Sequence, residues 1–239
     1  MREPEPPPFW NYRDLAMLIG LAPLCFLAGS QTVKSVLWIA GAGATRKVWE
    51  LGGQFFGYGL LFAALGAFFK WEYGRPLWDS LRGRRSSVRG TRAVLLGCVL
   101  ALAIALLGLL LKAPEIQSPL KDMFTDRASL FFVALVGVTV GPLCEELMFR
   151  GFMQPLFVRS LGLAWGILAA GICFGLLHLP QYGLSWRHGV LITMAGSAFG
   201  WMRHASGSTL AATVMHGAYN LTLFAGFVAS GGKDVPKTW

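Results

Sequence analysis

Long apolar stretches separated by short polar segments dominate the chain. The clearest of these stretches is 93–111, "AVLLGCVLALAIALLGLLL", which contains no charged residue. A helix needs about 20 residues to cross the roughly 30 Å hydrocarbon core of a bilayer. The pattern therefore predicts about seven membrane-spanning helices, at 14–30, 51–69, 93–111, 128–159, 163–180, 188–202 and 208–229.

The segment 31–50 is ambiguous, because its apolar part is short and contains Lys34. It could extend the first helix or lie in the membrane interface, which would make an eighth element. Composition agrees with a membrane protein, since 54% of residues are hydrophobic and only 14% are charged, against roughly 25% charged in an average soluble chain. The predicted fold class is an all-α, polytopic transmembrane helix bundle.

Nothing along the chain indicates a second domain. Residues 1–239 are predicted to form one membrane domain, whose first residues, 1–13, are a disordered lead. The lead, "MREPEPPPFWNYR", mixes acids with four prolines, which is unlike the basic start of a cleavable signal peptide.

The net charge of +9 is concentrated in one loop. Residues 70–92 contain seven Lys or Arg and two acids. Loops rich in Lys and Arg stay on the cytoplasmic side of a membrane, so the loop is predicted to be cytoplasmic in a multi-pass protein of the plasma (inner) membrane. The charge is therefore interpreted as facing the lipid bilayer, and no nucleic-acid partner is expected.

Very few ionisable residues lie inside the apolar spans, and those in the second half of the chain form a selective set. A charge at bilayer depth costs several kcal/mol, so such residues are typical of functional sites. Apart from the doubtful Lys34, the set is Glu145, Glu146, Arg150, His178 and His216.

These residues are predicted to lie at similar depth. If 142–159 is a helix that turns into 163–180, Glu145 and His178 both lie roughly 21 to 23 Å from the same membrane face at about 1.5 Å per residue. His216 and Asn220 lie about 12 to 18 Å in from that face on the last helix, a difference that helix tilt can cover.

Spacing within each helix predicts further contacts. Glu146 and Arg150 are four residues apart and can form an ion pair, which leaves Glu145 on another face without a cation. His216 and Asn220 have the same spacing and share a face. Phe174 lies one turn before His178 and is a candidate packing partner.

The set suits hydrolysis of an acyl bond. A carboxylate kept from bulk water can act as general base, a histidine can orient the water, and a His/Asn pair can donate to an oxyanion. Glu145, His178 and His216 could instead bind zinc. A structural ion pair, a structural histidine and an asparagine that joins helices are the alternatives.

The motifs "EELMFR" (145–150), "FGLLH" (174–178) and "HGAYN" (216–220) resemble those of the Abi or CPBP family of CAAX proteases and bacteriocin-processing enzymes, which includes the type II prenyl endopeptidases. The resemblance covers roughly 128–229, which would be the catalytic helices. It implies an intramembrane endopeptidase in which Glu145 and His178 activate water. His216 and Asn220 would stabilise the oxyanion.

In the same resemblance Glu146 and Arg150 support the site, as Phe174 does by packing. The expected substrate is a membrane-associated protein or peptide, with or without a prenyl group. No metal is expected, with a zinc-dependent version of the same peptidase as the alternative. A non-catalytic membrane protein of the bacteriocin-immunity or scaffold type is the second alternative. A transporter or proton relay is disfavoured, because the polar set occupies one half of the chain only.

Overall fold

The computed structural model describes residues 7–41, 46–81, 86–114, 131 and 133–229. These residues form helices and turns and contain no β-strand, which confirms the predicted all-α class. They pack as two compact units, Phe9–Ser80 and Leu81–Trp239 with Met1–Pro8. The single membrane domain over 1–239 stays a prediction.

The unit Phe9–Ser80 is built on an antiparallel pair of helices, α1 (Tyr12–Ile39) and α2 (Arg46–Tyr73). Their axes approach closely at glycines, because a Cβ on Gly29 would lie 2.6 Å from the carbonyl oxygen of Gly53. Small residues at such contacts are common between membrane helices. The ambiguous residues 31–39 therefore continue the first helix.

The start of the chain is more ordered than the sequence predicted. Trp10 is buried at 4% exposure, and its ring lies 5.8 Å from that of Phe69. The Asn11 side chain caps α1, and Asp14 bonds back to the Asn11 backbone in a capping box. The disordered lead over 1–13 is therefore wrong for residues 9–13, because aromatic burial and a helix cap fix them; residues 1–6 lie outside the described part.

The second unit contains the helices that carry the predicted motifs. A five-residue helix, α3 (Leu77–Leu81), precedes it. Its long helices are α4 (Gly90–Leu110), α5 (136–161), α6 (Leu163–His178), α7 (Trp186–Ser206) and α8 (Thr209–Ala229).

Small residues again permit close packing in this unit. Gly97 on α4 faces the carbonyl of Met215 on α8, and Gly171 on α6 faces Ser197 on α7. Buried residues of α4, α7 and α8 share one hydrophobic core, in which Phe199 and Ala212 are completely buried. This packing fixes the rotation of each helix, and with it the direction of each motif.

Helix α5 alternates between two helical geometries. It consists of a π-helical turn Val136–Val140, an α-helical segment Gly141–Glu146, a π-helical segment Leu147–Met153 and an α-helical end Gln154–Leu161. Wide π turns are rare and occur often at functional sites. Pro142 does not break the helix, which changes from π to α geometry at Gly141.

Four described helices are long and apolar enough to cross a membrane: Tyr12–Ile39, Leu51–Tyr73, Gly90–Leu110 and Leu163–Tyr182. They indicate an integral membrane protein. Seven or eight spans stay a prediction, as does the cytoplasmic side of the loop 70–92. The first residues of the predicted span 128–159 lie outside the described part of the chain, and polar residues such as His216 and Asn220 lower the apolar character of α8.

Candidate active site

Three helices of the second unit bring one carboxylate and two imidazoles together. Oε2 of Glu145 on α5 lies 4.0 Å from Nε2 of His178 on α6 and 3.9 Å from Nε2 of His216 on α8. Both separations exceed the length of a direct hydrogen bond. A bridging water is the usual occupant of a polar gap of this size.

The three groups are shielded from solvent without being sealed. The side chains of Glu145 and His178 are each 17% exposed, and that of His216 is 5% exposed. Glu145 and His178 are therefore partly accessible, whereas His216 is buried. Glu145 thus combines a desolvated carboxylate with access.

His178 is held in one tautomer by its own helix. Its Nδ1 lies 2.7 Å from the carbonyl oxygen of Phe174, and because a carbonyl only accepts, Nδ1 carries the hydrogen. The Phe174 ring packs on the imidazole with centroids 4.4 Å apart. In neutral His178, Nε2 therefore presents a lone pair toward Glu145.

Glu146 is the acceptor of a completely buried polar network. Its Oε1 lies 2.9 Å from Nη1 of Arg150 and 2.9 Å from Nδ1 of His216. Arg150 also donates through Nη2 to the carbonyl of Gly196, at 2.7 Å. Glu146 thus joins α5 to α8, and Arg150 joins α5 to α7, while Glu145 is left without an arginine partner among the described residues.

His216 is fixed in position from two sides. Glu146 holds its Nδ1, and the ring of Phe199 stacks on the imidazole at 4.4 Å with an angle of 18°. Because Nδ1 donates to a carboxylate, Nε2 can donate to an oxyanion only when the ring carries both protons. The predicted oxyanion role of His216 therefore depends on its protonation state.

Asn220 contacts the irregular part of α5. Its Nδ2 donates to the carbonyl oxygen of Gly137 at 2.8 Å. Pro142 has no N–H, so it cannot donate to the carbonyls of Gly137 or Val138, its partners in π or α geometry. Asn220 supplies a donor to the carbonyl of Gly137, and its carboxamide has a second N–H that this bond does not use.

Sequence reasoning missed several residues that position the site. Gln154 is buried four residues after Arg150 and donates to the carbonyl of Gly200 at 3.0 Å. The i, i+4, i+8 spacing of Glu146, Arg150 and Gln154 was a readable signal. The spacing of Gly196 and Gly200 also indicates a close helix contact, but the stacking of Phe199 on His216 had no local signal.

The donor separations do not fit a tetrahedral zinc ion. Zinc ligands at about 2.0 to 2.2 Å place donor atoms roughly 3.3 to 3.6 Å from each other, whereas the two separations from Glu145 are 4.0 and 3.9 Å. Among the described residues, no group of three His, Cys, Asp or Glu side chains is arranged to hold a metal.

Comparison with known families identifies the region that contains this site. Residues 127–222 match the family model of the Rce1-like type II CAAX prenyl endopeptidases. Neither the curated proteins nor the solved structures gave a match. The matched residues include Glu145, His178, His216 and Asn220, and they agree with the resemblance read from the motifs. Residues 127–222 are therefore similar to the Rce1-like family of type II CAAX prenyl endopeptidases, in agreement with the Abi or CPBP resemblance.

Proposed function

We propose that the protein is an intramembrane endopeptidase that hydrolyses a peptide bond in a membrane-associated protein or peptide, using water activated by Glu145. The observation that supports this most strongly is the placement of Glu145 between two imidazole nitrogens at water-bridging distance. The family match supports a CAAX-type peptidase.

Water activation follows from the orientation of Glu145 and His178. A water between Oε2 of Glu145 and Nε2 of His178 donates one hydrogen to each acceptor, which directs an oxygen lone pair away from both. That lone pair attacks the scissile carbonyl while Glu145 takes a proton. The protonated Glu145 then delivers this proton to the leaving amine as the C–N bond breaks.

Charge stabilisation falls to the groups on α8. Nε2 of doubly protonated His216 and the remaining N–H of Asn220 are the two donors for the oxyanion of the tetrahedral intermediate. Each such donor contributes about 10²- to 10³-fold to the rate in enzymes of known mechanism.

A charge count shows why these two roles are compatible. Glu146 and Arg150 neutralise each other. The buried cluster therefore has no net charge when Glu145 and His216 share one ionisable proton, which either protonates Glu145 or makes His216 doubly protonated. With that proton on His216, Glu145 is a free base and His216 is a donor at the same time. A low-dielectric site favours a neutral cluster over a charged one.

A scaffold function is the second candidate, and one observation favours it. The side chains of Glu146 and Arg150 are completely buried, and their bonds to Gly196 and His216 tie α5 to α7 and α8. A membrane protein without enzymatic activity could use such a network for stability alone. A scaffold function, however, does not require the side chains of Glu145 and His178 beside this network to be partly exposed.

The test is hydrolysis in water labelled with ¹⁸O. The purified protein is incubated in liposomes with a peptide that ends in a CAAX sequence, farnesylated at its cysteine or unmodified, and products are analysed by mass spectrometry. We expect one ¹⁸O in the new carboxylate of the upstream fragment. The farnesylated-to-unmodified ratio then reports whether the prenyl group is recognised.

His178→Ala and His204→Ala serve as a matched pair in this assay. His204 is an exposed histidine on α7, so its loss should leave the rate unchanged, whereas the loss of His178 should lower it by about 10²-fold or more. Absence of labelled product with either peptide from a folded protein would favour the scaffold function.

A further inference from the structure

A cavity in the unit Leu81–Trp239 is lined by residues of α4, α7 and α8. It has a volume of about 530 Å³, within the range of about 300 to 1,000 Å³ that holds small ligands. Leu96, Trp201, Met202 and Met215 form its apolar wall. The mechanism above makes no use of this cavity.

The two sites share helices but face different ways. Ala198 and Met215 line the cavity, while their neighbours Phe199 and His216 stack on each other in the candidate active site. Successive residues of a helix point about 100° apart, so α7 and α8 separate the two spaces. A molecule in the cavity would therefore not occupy the position of the peptide substrate.

Charge is concentrated at one end of the cavity. Arg92 lines it and is exposed, and Arg89, one turn earlier in the chain, is also exposed. The rim there is fixed by the backbone, because the N–H of Ser87 donates to the carbonyl of Ser206 at 3.2 Å. The cavity thus joins an apolar interior to a cationic mouth where α4 begins and α7 ends.

We propose that this cavity binds one anionic glycerophospholipid from the bilayer, with its phosphate on Arg92 and an acyl chain against Trp201, Met202 and Met215. Basic pockets between membrane helices are known to bind acidic headgroups. The charge complementarity selects an anionic lipid over a zwitterionic one. The apolar wall excludes a free phosphate ion as the full occupant.

The experiment measures thermal unfolding of the full chain in detergent micelles doped with phosphatidylglycerol or phosphatidylcholine. We expect phosphatidylglycerol to raise the melting temperature and phosphatidylcholine to have little effect. Arg92→Gln should weaken the apparent affinity about fivefold, which corresponds to about 1 kcal/mol for one cation at the membrane surface. Ala205→Phe, which fills the cavity from its exposed rim, should abolish the shift.

Two control variants match these changes elsewhere in the chain. Arg13→Gln removes an exposed arginine, and Ala225→Phe enlarges an exposed alanine. Neither residue lines the cavity, so both variants should keep the full stabilisation by phosphatidylglycerol. Equal stabilisation by the two lipids would overturn the proposal. A wild-type response of Arg92→Gln to phosphatidylglycerol would also overturn it. Because Arg92 is exposed, the variant should fold normally, and a changed response reports on lipid binding.

Discussion

Replacing Arg150 with alanine tests the buried network most severely. Arg150 and Glu146 have completely buried side chains joined at 2.9 Å, and Arg150 also donates to Gly196 at 2.7 Å. The variant removes the arginine from a buried carboxylate, which keeps its bond to Nδ1 of His216, and removes the side-chain donor from the carbonyl of Gly196. Removing one partner of a buried ion pair costs about 3 to 5 kcal/mol, against about 0 to 1 kcal/mol for an exposed pair.

The loss should be visible in thermal unfolding. At about 2 to 4 °C per kcal/mol for a chain of this size, the melting temperature should fall by roughly 6 to 20 °C. A thiol-reactive dye can report unfolding, because Cys25 and Cys144 are buried free cysteines. Arg187→Ala is the matched control, since Arg187 is partly exposed and lies over the Trp186 ring at 5.3 Å.

A double-mutant cycle separates the pair from the rest of the site. Glu146→Gln, Arg150→Gln and the double variant are compared, and the double variant should cost less than the sum of the single changes by at least about 1 kcal/mol. Additive losses would show that the two side chains do not act as a pair. A melting temperature for Arg150→Ala within 1 °C of wild type would refute the reasoning about the buried network.

Three further predictions concern the remaining contacts. Gly217→Ala should lower the free energy of unfolding by about 1 to 3 kcal/mol, because its Cβ would lie 2.5 Å from the carbonyl oxygen of Val138. Gly66→Ala is the control, since a Cβ there meets open space, and it should leave the melting temperature unchanged or slightly raised. Equal effects of the two variants would contradict the close approach. Asn220→Ala should lower kcat about 10²- to 10³-fold with little change in KM. The lost bond to Gly137 should also lower the free energy of unfolding by roughly 1 kcal/mol. A decrease in kcat of less than tenfold would leave Asn220 with a structural role only. Dialysis against a chelator should leave the cleavage rate within twofold, and activity that is lost and then restored by added zinc would contradict the water mechanism.

The sequence predicts what local spacing determines. The i, i+4 separation was enough to pair Glu146 with Arg150, and equal depth was enough to bring Glu145, His178 and His216 into one layer. Both inferences need only the rise and pitch of a helix. The apolar stretches likewise predict the all-α class, because a bilayer admits few alternatives.

Contacts that depend on helix rotation could not be predicted. The bond between His216 and Glu146 requires α5 and α8 to face each other at a specific angle. That angle depends on close contacts such as Gly217 of α8 against the carbonyl of Val138 on α5. The π turns of α5 shift the register of every residue after them, and the 3.6-residue pattern carries no signal for that shift. The sequence predicts Asn220 as an oxyanion donor, with a helix-joining role as the alternative, and the structure places its Nδ2 on the carbonyl of Gly137.

The most direct test compares initial cleavage rates of Glu145→Gln and Glu72→Gln in liposomes, at matched melting temperature. Glu72 is an exposed acid near the end of α2, so its amide variant controls for the loss of one carboxylate. The account predicts that Glu145→Gln lowers the rate by about 10²- to 10⁴-fold while Glu72→Gln keeps the wild-type rate. A folded Glu145→Gln protein that cleaves within a few fold of wild type would contradict it.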